Sequence, residues 1–473
     1  MVSKRQTVKR YRDFAPLRLT ERIASGSWAL VASLPLLLAS VPLACCCGCL
    51  GSAPAPTHFQ VASSSMFPAL MGPTLGATCT ACQFTYPVAA ETFRPELPTR
   101  CERCGGLCGV AAAIQPGQTA KLQRLSVDTL SDQNSSKHIR RWDLIAFQEP
   151  ASGSTHVKRV WGLPGEAIEL RDGEAWVDGK LLRKSLAELR QLAVPVYDMQ
   201  RGGGGQWWSS KVNELSKSAS LSLQPGQVFH FQFCRPAPVH PSEVPSDLWL
   251  EASPVVDSYS INQGLSTVLH PVDDCLLSLG LGQPFHGALT IEIRLHERVV
   301  RVELESIELS TESLGTNVAA NVEPKSDSGQ AVSTWRIAGQ HRIDVGWCDG
   351  RLLLESDAQS RAIEADELAL AFSAPDILHS ANSQWGPHEL FRLEASGTLV
   401  VSELRLFRDL YLVRAFGGTE HRSFPRESPE RTSGFYVLGD NLPVSQDSRQ
   451  HLGRVSPSQV LGRIYSDVSV PIN

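Results

Sequence analysis

Three short stretches hold residues whose types and spacing could do chemistry. Ser63-Ser64-Ser65-Met66-Phe67-Pro68 puts three hydroxyls on a turn that ends in Met, Phe and Pro. Such a turn can present Ser65 as a nucleophile, provided a nearby base takes its proton. Cys79-Thr80-Ala81-Cys82 and Cys101-Glu102-Arg103-Cys104 are two Cys-x-x-Cys pairs. Each pair sets two thiolates on one tight turn, and Cys79, Cys82, Cys101 and Cys104 together have the spacing of a tetrahedral Zn²⁺ site. Four thiolates leave no position for a substrate, so such a metal would be structural. In an oxidising compartment the same cysteines can instead form two disulfides. The third stretch is His156-Val157-Lys158-Arg159-Val160-Trp161. By position alone, Lys158 and Arg159 read as a solvated basic pair on a strand.

The serine turn follows closely on a long apolar run. Basic residues from Lys4 to Arg22 outnumber Asp13 and Glu21, and no Asp, Glu, Lys or Arg then appears until Glu91. Within that gap Ser27 to Leu50 is dominated by Ala, Val, Leu and Cys. About 20 such residues span a bilayer core, and the basic flank keeps the N-terminal end in the cytoplasm. The expectation is a single-pass anchor in the cell (inner) membrane, with the remainder on the extracytoplasmic side. A cleaved secretory signal shares this layout, but the length of the run and the proximity of Ser65 favour an anchor. Cys45, Cys46, Cys47 and Cys49 at the outer end of the run read as apolar filling of a helix end, with acylation the other reading.

The 473-residue chain carries a formal charge of −5 with 20% charged residues, which argues against nucleic acid as a partner. Its 36 Gly and 30 Pro point to a chain rich in strands and turns. Asp143 to Phe147 and His156 to Trp161 read as strands. Asp172-Gly173, Asp178-Gly179 and Asp349-Gly350 read as two-residue hairpin turns. Ser185-Leu186-Ala187-Glu188 reads as a capping box opening a short helix. Beyond the Gly202 to Gly205 break, strand signals recur at Leu289 to Leu295, Val299 to Ile307, Trp335 to Val345, Arg351 to Leu354 and Thr398 to Phe407. The fold class expected is mainly β: a catalytic core with a zinc-ribbon-like insert and a β-sandwich insert of jelly-roll-like type. The division is a cytoplasmic segment at 1–26, an anchor at 27–50, and a first core part at 51–200 with a cysteine-knuckle insert at 77–108. A sandwich-like insert at 206–415 and a last core part at 416–473 complete it.

Four separated blocks then carry a resemblance: Ser63 to Leu70, Arg141 to Phe147, Val157 to Glu166 and Tyr436 to Arg463. Lys158-Arg159-Val160-Trp161-Gly162-Leu163-Pro164-Gly165 and Gly439-Asp440-Asn441, followed by Ser445-Gln446-Asp447-Ser448-Arg449, occur in family order. On these motifs the chain resembles type I signal peptidases, membrane-anchored Ser/Lys endopeptidases that remove signal peptides from exported preproteins. The cysteine segment and 206–415 lie outside the resemblance.

The resemblance implies that Ser65 is the nucleophile, Lys158 the general base and Ser63 an oxyanion donor beside the Ser65 N–H. It implies that Ser445 hydrogen-bonds and aims the lysine amine, and that Asp440, Asp447 and Arg449 support the scaffold. It implies no cofactor for catalysis, preprotein signal peptides as partners with small residues one and three positions before the cut, and contact with membrane lipid. The chemistry is coherent, because burial disfavours the ammonium form and lets a lysine act as a base near neutral pH. Val157, Val160, Trp161 and Leu163 are the expected apolar surroundings. Two positions depart from the family: Leu442 stands where Arg is usual, and Trp142 where Gly is usual before Asp143. Two other readings accompany this one. One is an adhesion or carbohydrate-binding protein acting through 206–415; the other is a maturation peptidase of narrow specificity.

Overall fold

A computed structural model of the protein describes residues 57–125, 138–200, 202–203, 205–209, 220–236, 250–265, 268–282, 287–295, 298–307, 331–338, 341–356, 360–364, 389–412, 433–450 and 452–465. The apolar run at 27–50 and the Cys45 to Cys49 cluster lie outside these residues. Among the described residues no helix is long and apolar enough to cross a membrane. They are mainly β, arranged as several sheets with predominantly antiparallel pairing.

Six strands form the sheet that carries the candidate site. In spatial order they are Thr57–Gln60, Thr119–Arg124, Val460–Tyr465, Leu144–Gln148, Thr155–Gly162 and Tyr436–Leu438. The C-terminal strand Val460–Tyr465 therefore lies between two strands from the first third of the chain, and Tyr436–Leu438 closes the edge beside Thr155–Gly162. Register places Lys158 opposite Ile145, and Arg159 between Leu144 on one side and Leu438 on the other. The lysine strand is buried continuously from Lys158 to Gly162. It touches three apolar clusters: Val157 packs with Met66 and Leu70, Val160 with Ile145 and Phe147, and Trp161 with Phe67 and Leu438.

All three Asp-Gly turns form as the sequence predicts. Asp172-Gly173, Asp178-Gly179 and Asp349-Gly350 all have positive φ, and each joins directly paired antiparallel strands. Both central residues of a type I′ turn need positive φ, which is why Asp-Gly serves here. The capping box also forms: Ser185 accepts from the Glu188 N–H, Glu188 reaches back to the Ser185 N–H, and helix Leu186–Leu192 buries Leu186, Leu189 and Leu192.

The segment 194–408 folds as two sheets around one apolar core. One has Val194–Asp198, Leu399–Arg408, Cys275–Leu281, Arg342–Cys348 and Arg351–Ser356 as successive neighbours; the other centres on Val228–Pro236, Glu389–Ala395, Ala288–Leu295 and Arg298–Ile307. Leu277, Leu279, Val345 and Leu406 from the first meet Phe231, Ile291, Val302 and Leu393 from the second. Alternation explains the two faces: along Ala288–Leu295, Leu289, Ile291 and Ile293 are fully buried. One expected strand divides. The run Trp335 to Val345 is two strands, Ala331–Ala338 paired parallel to Arg298–Ile307 and Arg342–Cys348 in the opposite sheet. The chain changes sheets between them, so apolar content alone reads as one strand where two layers need two.

Candidate active site

The serine turn is compact because its own backbone closes it. Phe67 N–H donates to Ser64 O at 3.1 Å and Leu70 N–H to Met66 O at 2.9 Å. Met66 and Leu70 anchor it in the apolar cluster that also contains Ala146. Gly72 runs behind it at a separation no side chain allows: a Cβ there would lie 2.3 Å from the Ser63 carbonyl carbon. Ser65 Oγ then sits 2.9 Å from Lys158 Nζ, with Ser65 9% and Lys158 3% exposed. Ser63 Oγ donates to Ser65 Oγ at 3.2 Å. The Ser65 N–H has no acceptor among the described residues, which leaves it available to a ligand.

Burial holds the Lys158 amine down at about 8, against the opposing pull of Asp447 and Asp440. Among the described residues no carboxylate lies within ion-pair distance of it, because both aspartates are engaged elsewhere. Arg159 Nε donates to Asp440 Oδ1 at 2.8 Å and its terminal nitrogen to Oδ2 at 2.5 Å. Arg449 forks onto both oxygens of Asp447 at 2.8 and 2.9 Å, and Gly439 N–H adds a bond at 3.2 Å. Adjacent residues of one strand thus have opposite fates. Lys158 is buried without a counter-ion among the described residues, whereas Arg159 is buried with a bidentate one.

Ser445 differs from expectation. It is buried beside Gly439, but its Oγ has no hydrogen-bond partner among the described residues, and the lysine amine bonds Ser65 instead. Gly439 is fixed by the same crowding, since a Cβ on it would lie 2.2 Å from Ser445 Oγ and 2.6 Å from Ser65 O. Both departures have physical accounts. Trp142 has φ +75°, a conformation natural to glycine. It packs edge-on against Trp161 at 4.8 Å, and its carbonyl accepts from Arg159 at 2.8 Å. Leu442 is buried in the apolar cluster and gives its carbonyl to Arg449 at 3.0 Å, so Arg449 serves two partners.

The structure adds three residues that sequence reasoning missed. Asn441 N–H donates to Ser65 O and its side-chain NH₂ to Ser64 O, both at 3.0 Å. Glu91 accepts from the Ser64 N–H at 2.8 Å. Asn262, from the long insertion, pairs with the Asn441 side chain. Asn441 stood inside a recognised motif; Glu91 and Asn262 carry no local signal, because only the fold brings them near.

The family model described as signal peptidase, peptidase S26, matches residues 41–232. Over those residues the chain is similar to the signal peptidase S26 family. Its members are membrane-bound serine peptidases that remove signal peptides from preproteins. No curated protein matches the chain. The match crosses the cysteine segment and ends inside the long insertion, while the Gly439-Asp440-Asn441 block that packs on the serine turn lies beyond it.

Within the matched residues the four knuckle cysteines come together. Cys79 and Cys104 sulfurs are 3.5 Å apart, Cys82 and Cys101 sulfurs 3.6 Å, and all four lie within 4.8 Å of one another. A tetrahedron with Zn–S bonds of about 2.3 Å has S···S edges of about 3.8 Å, so the donor set fits zinc. A disulfide needs about 2.05 Å. Burial works against a Cys79 thiolate, but N–H bonds from Cys82 and Ala81 outweigh it and bring the thiol down to about 7. The three strands Thr85–Ala89, Thr74–Cys79 and Cys108–Val110 hold the two turns together.

Proposed function

We propose that this peptidase cleaves signal peptides with Ser65 as nucleophile and Lys158 as general base. The carrying observation is the 2.9 Å contact between Ser65 Oγ and an almost fully buried lysine that has no counter-ion among the described residues. In the neutral form the amine accepts the Ser65 proton as Oγ attacks the carbonyl carbon before the scissile bond. The carbonyl oxygen becomes an oxyanion, received by the Ser65 N–H and, after rotation about one bond, by the Ser63 hydroxyl. The ammonium of Lys158 then protonates the leaving amine, the C–N bond breaks, and water hydrolyses the resulting ester along the reverse proton path. Asp440 and Asp447 act as scaffold, each neutralised by an arginine.

The reading extends to setting and architecture. The anchor at 27–50 holds the chain in the cell membrane with the catalytic part outside, and 206–415 is an insertion in a core made of 51–200 and 416–473. An insertion is compatible with an intact core when its two ends meet. Val194–Asp198, on the way in, pairs with Leu399–Arg408, on the way out. The cysteine cluster holds a structural Zn²⁺ that takes no part in the chemistry.

Cleavage of a preprotein by the full chain in lipid vesicles tests the assignment. Ser65→Ala and Lys158→Met should each lower the rate by at least about 10³-fold, the range seen when a nucleophile or base is removed, and both should remain folded. Persistent cleavage by either variant overturns it.

A further inference from the structure

The long insertion does more than hang from the core: one segment of it reaches the serine turn. Tyr259 OH donates to Asp440 O at 2.6 Å, and Asn262 pairs with Asn441 in both directions. The Asn262 NH₂ donates to Asn441 Oδ1 at 2.7 Å, and the Asn441 NH₂ donates back at 2.9 Å. Arg408 braces the segment through Ser258 O at 2.7 Å and by lying 4.7 Å from the Tyr259 ring centre. Ile261 O accepts the Ala89 N–H at 2.8 Å, two residues before Glu91.

We infer that Asn262 is a positioning residue that sets the direction of the Ser65 N–H through Asn441. This rests on the reading of Ser65 as nucleophile. A trans peptide is planar, so the Ser64 carbonyl and the Ser65 N–H point oppositely from one rigid unit. The Asn441 NH₂ holds that carbonyl at 3.0 Å, and thereby aims the N–H. One amide hydrogen of Asn441 goes to Ser64 O and the other to Asn262; its oxygen accepts only from Asn262 among the described residues. Asn441 is fully buried. Without Asn262 the Asn441 amide keeps only its bond to Ser64 O, its buried oxygen and second N–H lose their partner, and the side chain is freed to turn away from that carbonyl. Glu91, braced through Ala89 by the same segment, holds the preceding N–H from the other side. An insertion outside the family motifs thus helps to aim the oxyanion donor.

The interaction strengthens as the oxyanion develops, so its loss appears in kcat. The full chain in lipid vesicles is assayed with a preprotein whose signal peptide ends Ala-x-Ala, and active sites are counted with a serine-acylating probe. Asn262→Ala should lower kcat per active site by about 10- to 100-fold, part of the 10²–10³ lost with a whole oxyanion donor. KM should stay within about twofold, and the pH inflection should not move. Asn262→Gln, which keeps donor and acceptor, should recover most of the rate. A purely structural role would lower the number of active sites and leave kcat per site intact, and that result, or an unchanged kcat, overturns the inference. If Asn262→Ala does not fold, Asn262→Ser and Asn262→Gln carry the test, and equal kcat values for the two overturn it. Ser65→Ala runs in parallel. If it still cleaves, the nucleophile assignment fails; if it is inert while Asn262→Ala keeps wild-type kcat, only the role of Asn262 fails.

Discussion

At the scale of single residues, neighbours of one chemical type divide by environment. Lys158 and Arg159 are adjacent cations, but among the described residues only Arg159 finds a carboxylate. An unpaired buried ammonium is costly, so the fold favours the neutral amine and burial holds Lys158 at about 8. The sign is set by the chemistry: the base must be unprotonated, so kcat/KM should rise tenfold per pH unit below 8 and level off above about pH 9. A flat profile from pH 6 to 10, under conditions limited by chemistry, would exclude lysine as the base. The same shift makes a stability prediction. Between pH 8 and about 10.4 the unfolded chain binds a proton that the folded chain does not, so stability from this group rises with pH across that window. Lys158→Met removes the buried amine and should raise the melting temperature at pH 7 while abolishing cleavage.

At the scale of elements, turns and knuckles have tasks that close packing makes strict. Gly72 and Gly439 each pack against the backbone of the serine turn where no Cβ fits. The cysteine turns are held by a three-stranded sheet whose strand Thr85–Ala89 ends just before Glu91. Metal analysis of the purified chain should find one zinc per molecule. Chelation or Cys82→Ser should release it, lower the melting temperature and reduce cleavage, since Glu91 holds the Ser64 N–H. If thiol titration of the unfolded, metal-stripped protein finds these four cysteines already oxidised, they are disulfides and not ligands.

Across the whole molecule, a second buried polar cluster ties Glu174 and Lys184 to Asp274, Asp349 and Asp409. The Lys184 ammonium lies 2.5 Å from Asp349, 2.9 Å from Asp409 and 4.0 Å from Glu174, and Asp349 N–H donates to Asp274 at 2.7 Å. One cation faces several carboxylates. Burial, then repulsion from Asp409, pushes Asp274 up to about 7; burial also raises Glu174 to about 9 despite Lys184. Ordinary carboxylates titrate near 4, so between about pH 4 and 7 the folded chain holds a proton on Asp274 that the unfolded chain has lost. Stability from this group is therefore complete below that window and declines as pH rises through it. Asp274→Asn keeps the acceptor for Asp349 and cannot ionise. It should raise the melting temperature at pH 8 more than at pH 5, and an equal change at both pH values would count against the cluster.

What the sequence determined by itself was local or motif-borne. Asp-Gly turns need positive φ at both positions, Ser185 and Glu188 cap a helix within one turn, and paired Cys-x-x-Cys turns carry their own geometry. The Ser65, Lys158 and Asp440 blocks were legible because each motif is short and contiguous. The tertiary structure decided which of these groups meet and what each meets. It engaged Asp440 and Asp447 with arginines, gave Trp142 a glycine-like backbone supported by Trp161, and among the described residues left Lys158 without a counter-ion and Ser445 without the expected bond. It also brought Glu91 to the backbone of Ser64 and Asn262 to Asn441 from distant parts of the sequence. Those contacts depend on long-range register and on which sheet the chain enters, and no spacing along the sequence encodes either.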